Sequence, residues 1–380
     1  AAIGENNTMP TANITIYGGE YTVSTDPASD AWKPFCATIY ASASGDINIY
    51  GGTFNGYYGI SSRYVNVGQN LNISGGTFNG SNSALFVDTK SGVECSETRT
   101  ISITGGTFST EPANEYIAKG YTKERDNGKW NVVPDTSKTY VAQVGVNKYE
   151  SLADALAAAK DGDTVKLTKD IAPTERIEVT GDKNITIDLA AKKITSTADV
   201  AIVNNGTGKL TITGNGTVDT SSSANDKNIA IWARTGSIDI ENGMFINKSN
   251  KEATVYVGTS ADASTPVITI KGGTFENKAT GPYEYKNSLK PLTLNVENSK
   301  PVTSIVITGG TFVGQNPGDG DDNKGGTFLA EGCITLVNND TFTVSNTDEI
   351  PVTTATVQDY LDGKYGSING KTLVLASGDY

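Results

Sequence analysis

The stretch Ile268-Thr269-Ile270-Lys271-Gly272-Gly273-Thr274-Phe275 decides the fold. Apolar and polar residues alternate through its first half, the period-two signature of a strand with one buried face. Ile268 and Ile270 point inward on this reading, and Thr269 and Lys271 point out. The glycine pair permits positive φ at a sharp corner, and Phe275 then returns to the core. The pattern recurs with the phenylalanine at 54, 78, 108 and 312, and looser copies end at Tyr21, Val218 and Phe245. A second strand precedes each unit on this reading, as in Ala37-Thr38-Ile39-Tyr40, Ala84-Leu85-Phe86-Val87, Ala253-Thr254-Val255-Tyr256 and Leu292-Thr293-Leu294-Asn295.

Gly18, Gly51, Gly75 and Gly105 open successive corners at steps of 33, 24 and 30 residues. A repeat this short cannot bury its apolar face alone. Stacked repeats can, each strand pairing with its equivalent about 4.8 Å away. A propeller blade needs about 40 residues and four strands, which a step of 24 excludes. The expected fold is therefore all-β, a parallel β-helix whose phenylalanines form an internal ladder.

One helix is expected, over Ser151–Lys160. Leu152, Ala155, Leu156 and Ala159 make an apolar stripe at i, i+3, i+4 and i+7. Ser151 with Asp154 reads as a capping-box variant, and Gly162 supplies a stop. Such a helix can plug the open end of a β-helix, which otherwise exposes core and unpaired strands. A second duplication marks module ends. Ala118, Gly120, Asn127, Trp130 and Val132 have counterparts at Ala330, Gly332, Asn339, Phe342 and Val344, all offset by 212 (330 − 118, 344 − 132). The expected organisation is residues 1–134 as the C-terminal part of one module and 135–346 as a second with its capping helix at 151–160. Residues 347–380 form a tail that reads either as the start of a further module or as a C-terminal cap. A chain that starts in mid-module reads as a piece of a longer protein.

The repeats, together with Tyr149-Glu-Ser-Leu-Ala-Asp-Ala-Leu-Ala-Ala-Ala-Lys-Asp-Gly-Asp-Thr-Val-Lys-Leu-Thr-Lys-Asp170, resemble the pectin-lyase-like right-handed parallel β-helix proteins. More narrowly, the chain looks like the GGTF-repeat surface proteins of Gram-positive gut bacteria. The resemblance implies two tandem right-handed β-helix modules, with the 149–170 segment as a capping helix and first strand. It leaves activity open, since the group holds lyases, hydrolases and non-catalytic adhesin-like proteins.

Composition narrows the chemistry. The formal net charge of −12 disfavours nucleic acid and anionic membrane surfaces as partners. No stretch is apolar enough to span a bilayer, and the Asn-, Thr-, Ser- and Gly-rich loops suit an extracellular or cell-surface location. The chain has no histidine, which removes the usual Ser-His-Asp and Cys-His machinery and the common zinc sites. Cys36, Cys95 and Cys333 include no CxxC pair. Cys36 and Cys95 could bridge only if loops of different coils met; otherwise all three are free thiols.

Carboxylates are the remaining catalytic option. Asp239 and Glu241 both face outward on one strand, with Lys271 and Arg234 as candidate partners, but the lyase pattern needs more acids on neighbouring coils. Asp319-Gly-Asp321-Asp322-Asn323 opens like a calcium loop, yet an EF-hand needs Gly at 324 and Glu at 330, where the chain has Lys324 and Ala330. No catalytic residue, metal or cofactor is expected.

Outward aromatics give the candidate binding residues. Trp232 and Tyr256 fall at the same outward position in adjacent coils, followed by Asn295; Tyr17 and Tyr50 do likewise just before their glycine corners. Aromatics one coil apart can stack on sugar rings while neighbouring amides bond the hydroxyls. Tyr57, Tyr58 and Trp32 fall in loops and take no assigned place. The sequence therefore predicts a non-catalytic, adhesin-like or carbohydrate-binding solenoid, a monomer within a longer chain, with host or dietary glycans as partners. The alternatives are a polysaccharide lyase or glycoside hydrolase, and a purely structural stalk.

Overall fold

The computed structural model describes residues 2–4, 13–23, 25–26, 36–41, 45–62, 69–87, 100–258, 266–282, 284, 290–320 and 326–375. Trp32, Cys95, Asp321–Asn323 and residues 376–380 lie outside them. The chain is an all-β solenoid of about 11 turns. It divides into two compact units: Ala1–Thr139 with Val146–Lys148, and Tyr140–Gly145 with Tyr149–Tyr380.

In the first unit, the strands Ile14–Ile16, Gly45–Ile49, Gln69–Ile73 and Thr100–Ile103 form one parallel sheet. The segments after the glycine corners, Glu20–Thr22, Thr53–Ser62, Thr77–Val87 and Thr107–Phe108, form a second. The strand 53–62 also pairs in parallel with Ala37–Ala41. The alternation does what the sequence requires: Ile47, Ile49, Leu71, Ile73 and Ile103 are buried in the hollow of the coils. Phe54, Phe78 and Phe108 are fully buried and stacked, with centroids 4.9 Å apart at each step.

The second unit is more regular and has three parallel sheets. One holds Thr164–Leu167, Ile185–Asp188, Leu210–Thr213, Ile238–Ile240, Ile268–Ile270 and Ile305–Ile307. The second carries the post-corner strands Lys193–Thr195, Thr217–Asp219, Met244–Asn247, Thr274–Asn277 and Gly310–Val313. The third holds Ile177–Val179, Val200–Asn204, Ile229–Ala233, Val255–Val257 and Leu294–Val296. The residue after the corner thus opens a strand of its own, where the sequence reading had two strands and an aromatic. Its inward column runs Ile194, Val218, Phe245, Phe275, Phe312, aliphatic first and aromatic after.

In the corners that open at Gly51, Gly75, Gly105, Gly272 and Gly309 the two glycines have different causes. Gly76 has φ +104°, a conformation costly for a residue with a Cβ. Gly75 does not; a Cβ there would lie 2.3 Å from the carbonyl oxygen of Tyr50 one coil below. The same close approach holds at Gly51, Gly105, Gly272 and Gly309, at 2.2–2.6 Å. The reading that the pair as a whole serves positive φ is corrected accordingly: the first glycine is required by its neighbour.

Helix α1, Leu152–Ala158, is shorter than its sequence pattern. Ser151 Oγ accepts a hydrogen bond from the Asp154 backbone N–H at 3.0 Å, and Ala159 is already extended. Leu152, Ala155, Leu156 and Ala159 are buried in the core of the second unit, where α1 packs on the strands Ala142–Val144, Thr164–Leu167 and Ile177–Val179.

Both runs of repeats close with an antiparallel hairpin. Tyr121–Asp126 and Lys129–Pro134 pair with each other and lay Trp130 opposite Phe108. Ile334–Asn338 and Thr341–Ser345 lay Phe342 opposite Phe312. The constant offset of 212 therefore has a physical meaning: each hairpin covers the last ring of a ladder. Asn127 and Asn339, at φ 47° and 52°, turn the two hairpins. Beyond the second, Glu349–Val352 and Thr372–Leu375 pair in parallel, joined through helix α2, Val357–Leu361. They form a small core of Ile350, Val352, Tyr360 and Tyr365 against Ile334.

Candidate functional site

Register places Val203, Trp232, Tyr256 and Asn295 in one outward column on the third sheet of the second unit. Outward is not the same as exposed there. Trp232 and Tyr256 are half-buried against Val200, Val203 and Ile229, and Asn295 is only 6% exposed. The rings of Trp232 and Tyr256 are 6.1 Å apart and tilted by 50°, so they form no common plane. The Trp232 indole N–H donates to the Gly258 carbonyl at 2.9 Å. The guanidiniums of Arg176 and Arg234 lie 5.6 and 5.4 Å from the Trp232 ring centroid, close enough for cation–π attraction.

Arg176 is also fixed by Asp199. Its Nε donates to Oδ1 at 2.8 Å, and its Nη2 to Oδ2. The hydrogen bond from Arg176 holds the Asp199 carboxyl below its usual range. Burial, aided by Glu252 and Glu297, pushes the Tyr256 phenol well above its ordinary value. Trp232 therefore has its indole N–H and its ring engaged within the protein. Arg176 was missed from the sequence because it lies two coil steps from Trp232, far apart in the chain.

On the first sheet of the second unit, Thr211, Asp239 and Thr269 align as their spacing implies. Asp239 is paired with Lys209 at 2.9 Å and Lys271 at 3.7 Å, and Glu241 with Lys271 at 2.7 Å. The acids form a surface ion-pair ladder rather than an open carboxylate cluster. Arg234, considered as their partner, instead faces Trp232. Among the described residues no group of three or more His, Cys, Asp or Glu side chains could hold a metal ion. Asp319 ends a short 3-10 turn, where it accepts a hydrogen bond from Asn316 Nδ2. Cys36 and Cys333 are free thiols, the first half-buried and the second buried.

The first unit carries the exposed aromatics. Tyr17 is 79% and Tyr50 54% exposed, with rings stacked 5.3 Å apart at 11°. They head a column continued by Ser74 and Thr104, each on the residue before a glycine corner. Beside it runs the outward column Thr15, Asn48, Asn72, Ser102, and beyond that Asp46, Asn70, Thr100. The amides link along the axis: Asn72 Nδ2 donates to Asn48 Oδ1 at 2.9 Å, and Asn70 Nδ2 to Asp46 Oδ1 at 2.7 Å. This amide ladder had a sequence signal that went unread, since Asn48 and Asn72 hold the same place in consecutive repeats. Tyr57 and Tyr58, left unplaced by the sequence, lie on the strand Thr53–Ser62, and Tyr58 stacks on Phe86 at 4.4 Å.

No helix of the described residues is long and apolar enough to cross a membrane. No family model, curated protein or solved structure matches the chain.

Proposed function

We propose that the chain is a non-catalytic, extracellular β-helix that binds glycans, as an adhesin-like part of a bacterial surface protein. One observation carries the reading: two tyrosines stack in the open beside a face of amides and hydroxyls. An exposed, stacked aromatic pair offers apolar ring surface, and sugars combine apolar ring faces with hydroxyls that suit both neighbours. The pectin-lyase-like resemblance and the formal net charge of −12 agree with this. The engagement of Asp239 and Glu241 by lysines weighs against the lyase alternative.

The second unit supports a spacer role, because its Trp232 column is occupied by its own arginines and backbone. The test is a glycan array probed with the 380-residue chain and with Tyr17→Ala/Tyr50→Ala. Retention of some glycans by the native chain and their loss in the double variant is the expected result. An array without retained glycans overturns the reading.

A further inference from the structure

We infer that the glycan taken by the Tyr17–Tyr50 face is a neutral, extended polysaccharide, lying along the solenoid axis across the exposed Tyr17–Tyr50 pair. The inference rests on the glycan reading and adds charge class, direction and a dominant residue.

Direction follows from the grid of the sheet. Equivalent side chains recur about every 4.8 Å along the axis, close to the length of one sugar residue, while outward neighbours on one strand are about 6.6 Å apart. A polymer running along the axis meets the same chemistry at each coil; one running across it does not. The described column offers Thr15, Asn48, Asn72 and Ser102 in succession. The bond from Asn72 Nδ2 to Asn48 Oδ1 uses one donor and one acceptor, leaving Asn48 Nδ2 to give and Asn72 Oδ1 to receive. A sugar hydroxyl can answer either.

Charge class follows from the strands themselves. Ile14–Ile16, Gly45–Ile49, Gln69–Ile73 and Thr100–Ile103 contain no Lys or Arg, and their one ionisable side chain is the acid Asp46. A uronate or sulfated polymer would bring its anions to a face that among these strands has no cation to pair with them. A neutral polymer loses nothing there.

The dominant residue follows from the stack. At 5.3 Å and 11° the two rings cover one another's facing sides. Tyr50 is thus backed by Tyr17 on one side and followed by the Ser74 coil on the other, and Tyr17 is the more exposed of the two, at 79% against 54%. Apolar contact with a sugar is therefore greater at Tyr17, whose ring Tyr50 holds in place by stacking.

The experiment measures binding of the full chain to soluble neutral polysaccharides (a β-glucan, a mannan and a xylan) and to polygalacturonate and chondroitin sulfate, by affinity electrophoresis at low and high salt. Binding to at least one neutral polymer, unchanged by salt, is expected. Tyr17→Ala should weaken it about tenfold, equivalent to about 1.4 kcal/mol. Tyr50→Ala and Asn48→Ala should each weaken it about threefold to fivefold. Tyr17→Phe should retain the ring contact and most of the binding, which separates lost stacking from a misfolded variant. Salt-sensitive binding to the anionic polymers alone overturns this inference and leaves the glycan reading standing. Neutral binding indifferent to Tyr17→Ala overturns the placement. Binding to none of the polymers overturns both the inference and the reading beneath it.

Discussion

Phe78→Leu isolates the aromatic ladder of the first unit from ordinary core burial. Phe78 is fully buried between Phe54 and Phe108, with centroids 4.9 Å away on each side at 6° and 17°. Leucine keeps most of the buried apolar surface and removes both stacked contacts. Each pair is worth about 0.5–1.5 kcal/mol beyond burial, so the substitution should cost about 1–3 kcal/mol. Phe78→Ala also empties the site and should cost about 3–5 kcal/mol. Phe54→Leu loses a comparable pair, its contacts with Tyr21 and Phe78. Because the two share one stack, the double variant should be less destabilised than the sum by about 0.5–1.5 kcal/mol. Urea unfolding followed by far-UV circular dichroism and tryptophan fluorescence measures the four variants against the native chain. A Leu variant costing less than about 0.5 kcal/mol, with zero coupling to Phe54, would refute the ladder as a source of stability.

Three further outcomes are expected. Burial pushes the Glu252 carboxyl up to about 7. The folded state therefore holds a proton that the unfolded chain releases, and stability falls as pH rises from about 4.5 to about 7, the penalty being complete above that. Discounted for partial exposure, Glu252→Gln should gain about 1–3 kcal/mol near pH 8 and nothing near pH 4, measured by urea melts at both values; a gain independent of pH would exclude this cause. Thr335 Oγ1 is buried without a hydrogen-bond partner, so Thr335→Val should stabilise by about 1 kcal/mol in a thermal melt, and a loss of that size would contradict it. Ala190 and Ala191 sit side by side at φ 48° and 58°. Ala190→Gly should relieve about 1–2 kcal/mol of strain, partly offset by chain entropy, for a net gain of about 0.5–1 kcal/mol in urea; a lower midpoint would show that the alanine is not strained.

The solenoid was legible because its causes are local. Alternation marks the buried face of Ile268 and Ile270, the stripe from Leu152 to Ala159 marks α1, and both act within a few residues. The hairpins were not legible as hairpins. Trp130 and Phe342 stood out as equivalents, but whether a strand runs parallel or antiparallel to its neighbour depends on a partner outside the segment. The same holds for exposure. Alternation tells that Trp232, Asn295, Tyr17 and Tyr50 leave the core; it cannot tell that Val203 and two arginines close over the first pair's column while the tyrosines stay open. Lys209 was overlooked because its ion pair with Asp239 spans 30 residues of chain and a single coil step.

The first glycine of the corners at 51, 75, 105, 272 and 309 has a consequence for how such a chain can change length. Gly75 is demanded by the carbonyl of Tyr50, and Gly105 in turn by that of Ser74. A corner is thus a clasp between neighbours, and its fit is inherited from the coil beneath. Loops between strands can gain or lose residues without touching it, which is why the steps of 33, 24 and 30 residues coexist in one stack. The corners themselves admit no such slack. Growth or shortening by a complete coil leaves every clasp closed, whereas a change of one residue inside a corner opens two. The solenoid is in this sense a molecule counted in whole turns, and duplication of entire repeats is the path along which its length can drift while its packing stays intact.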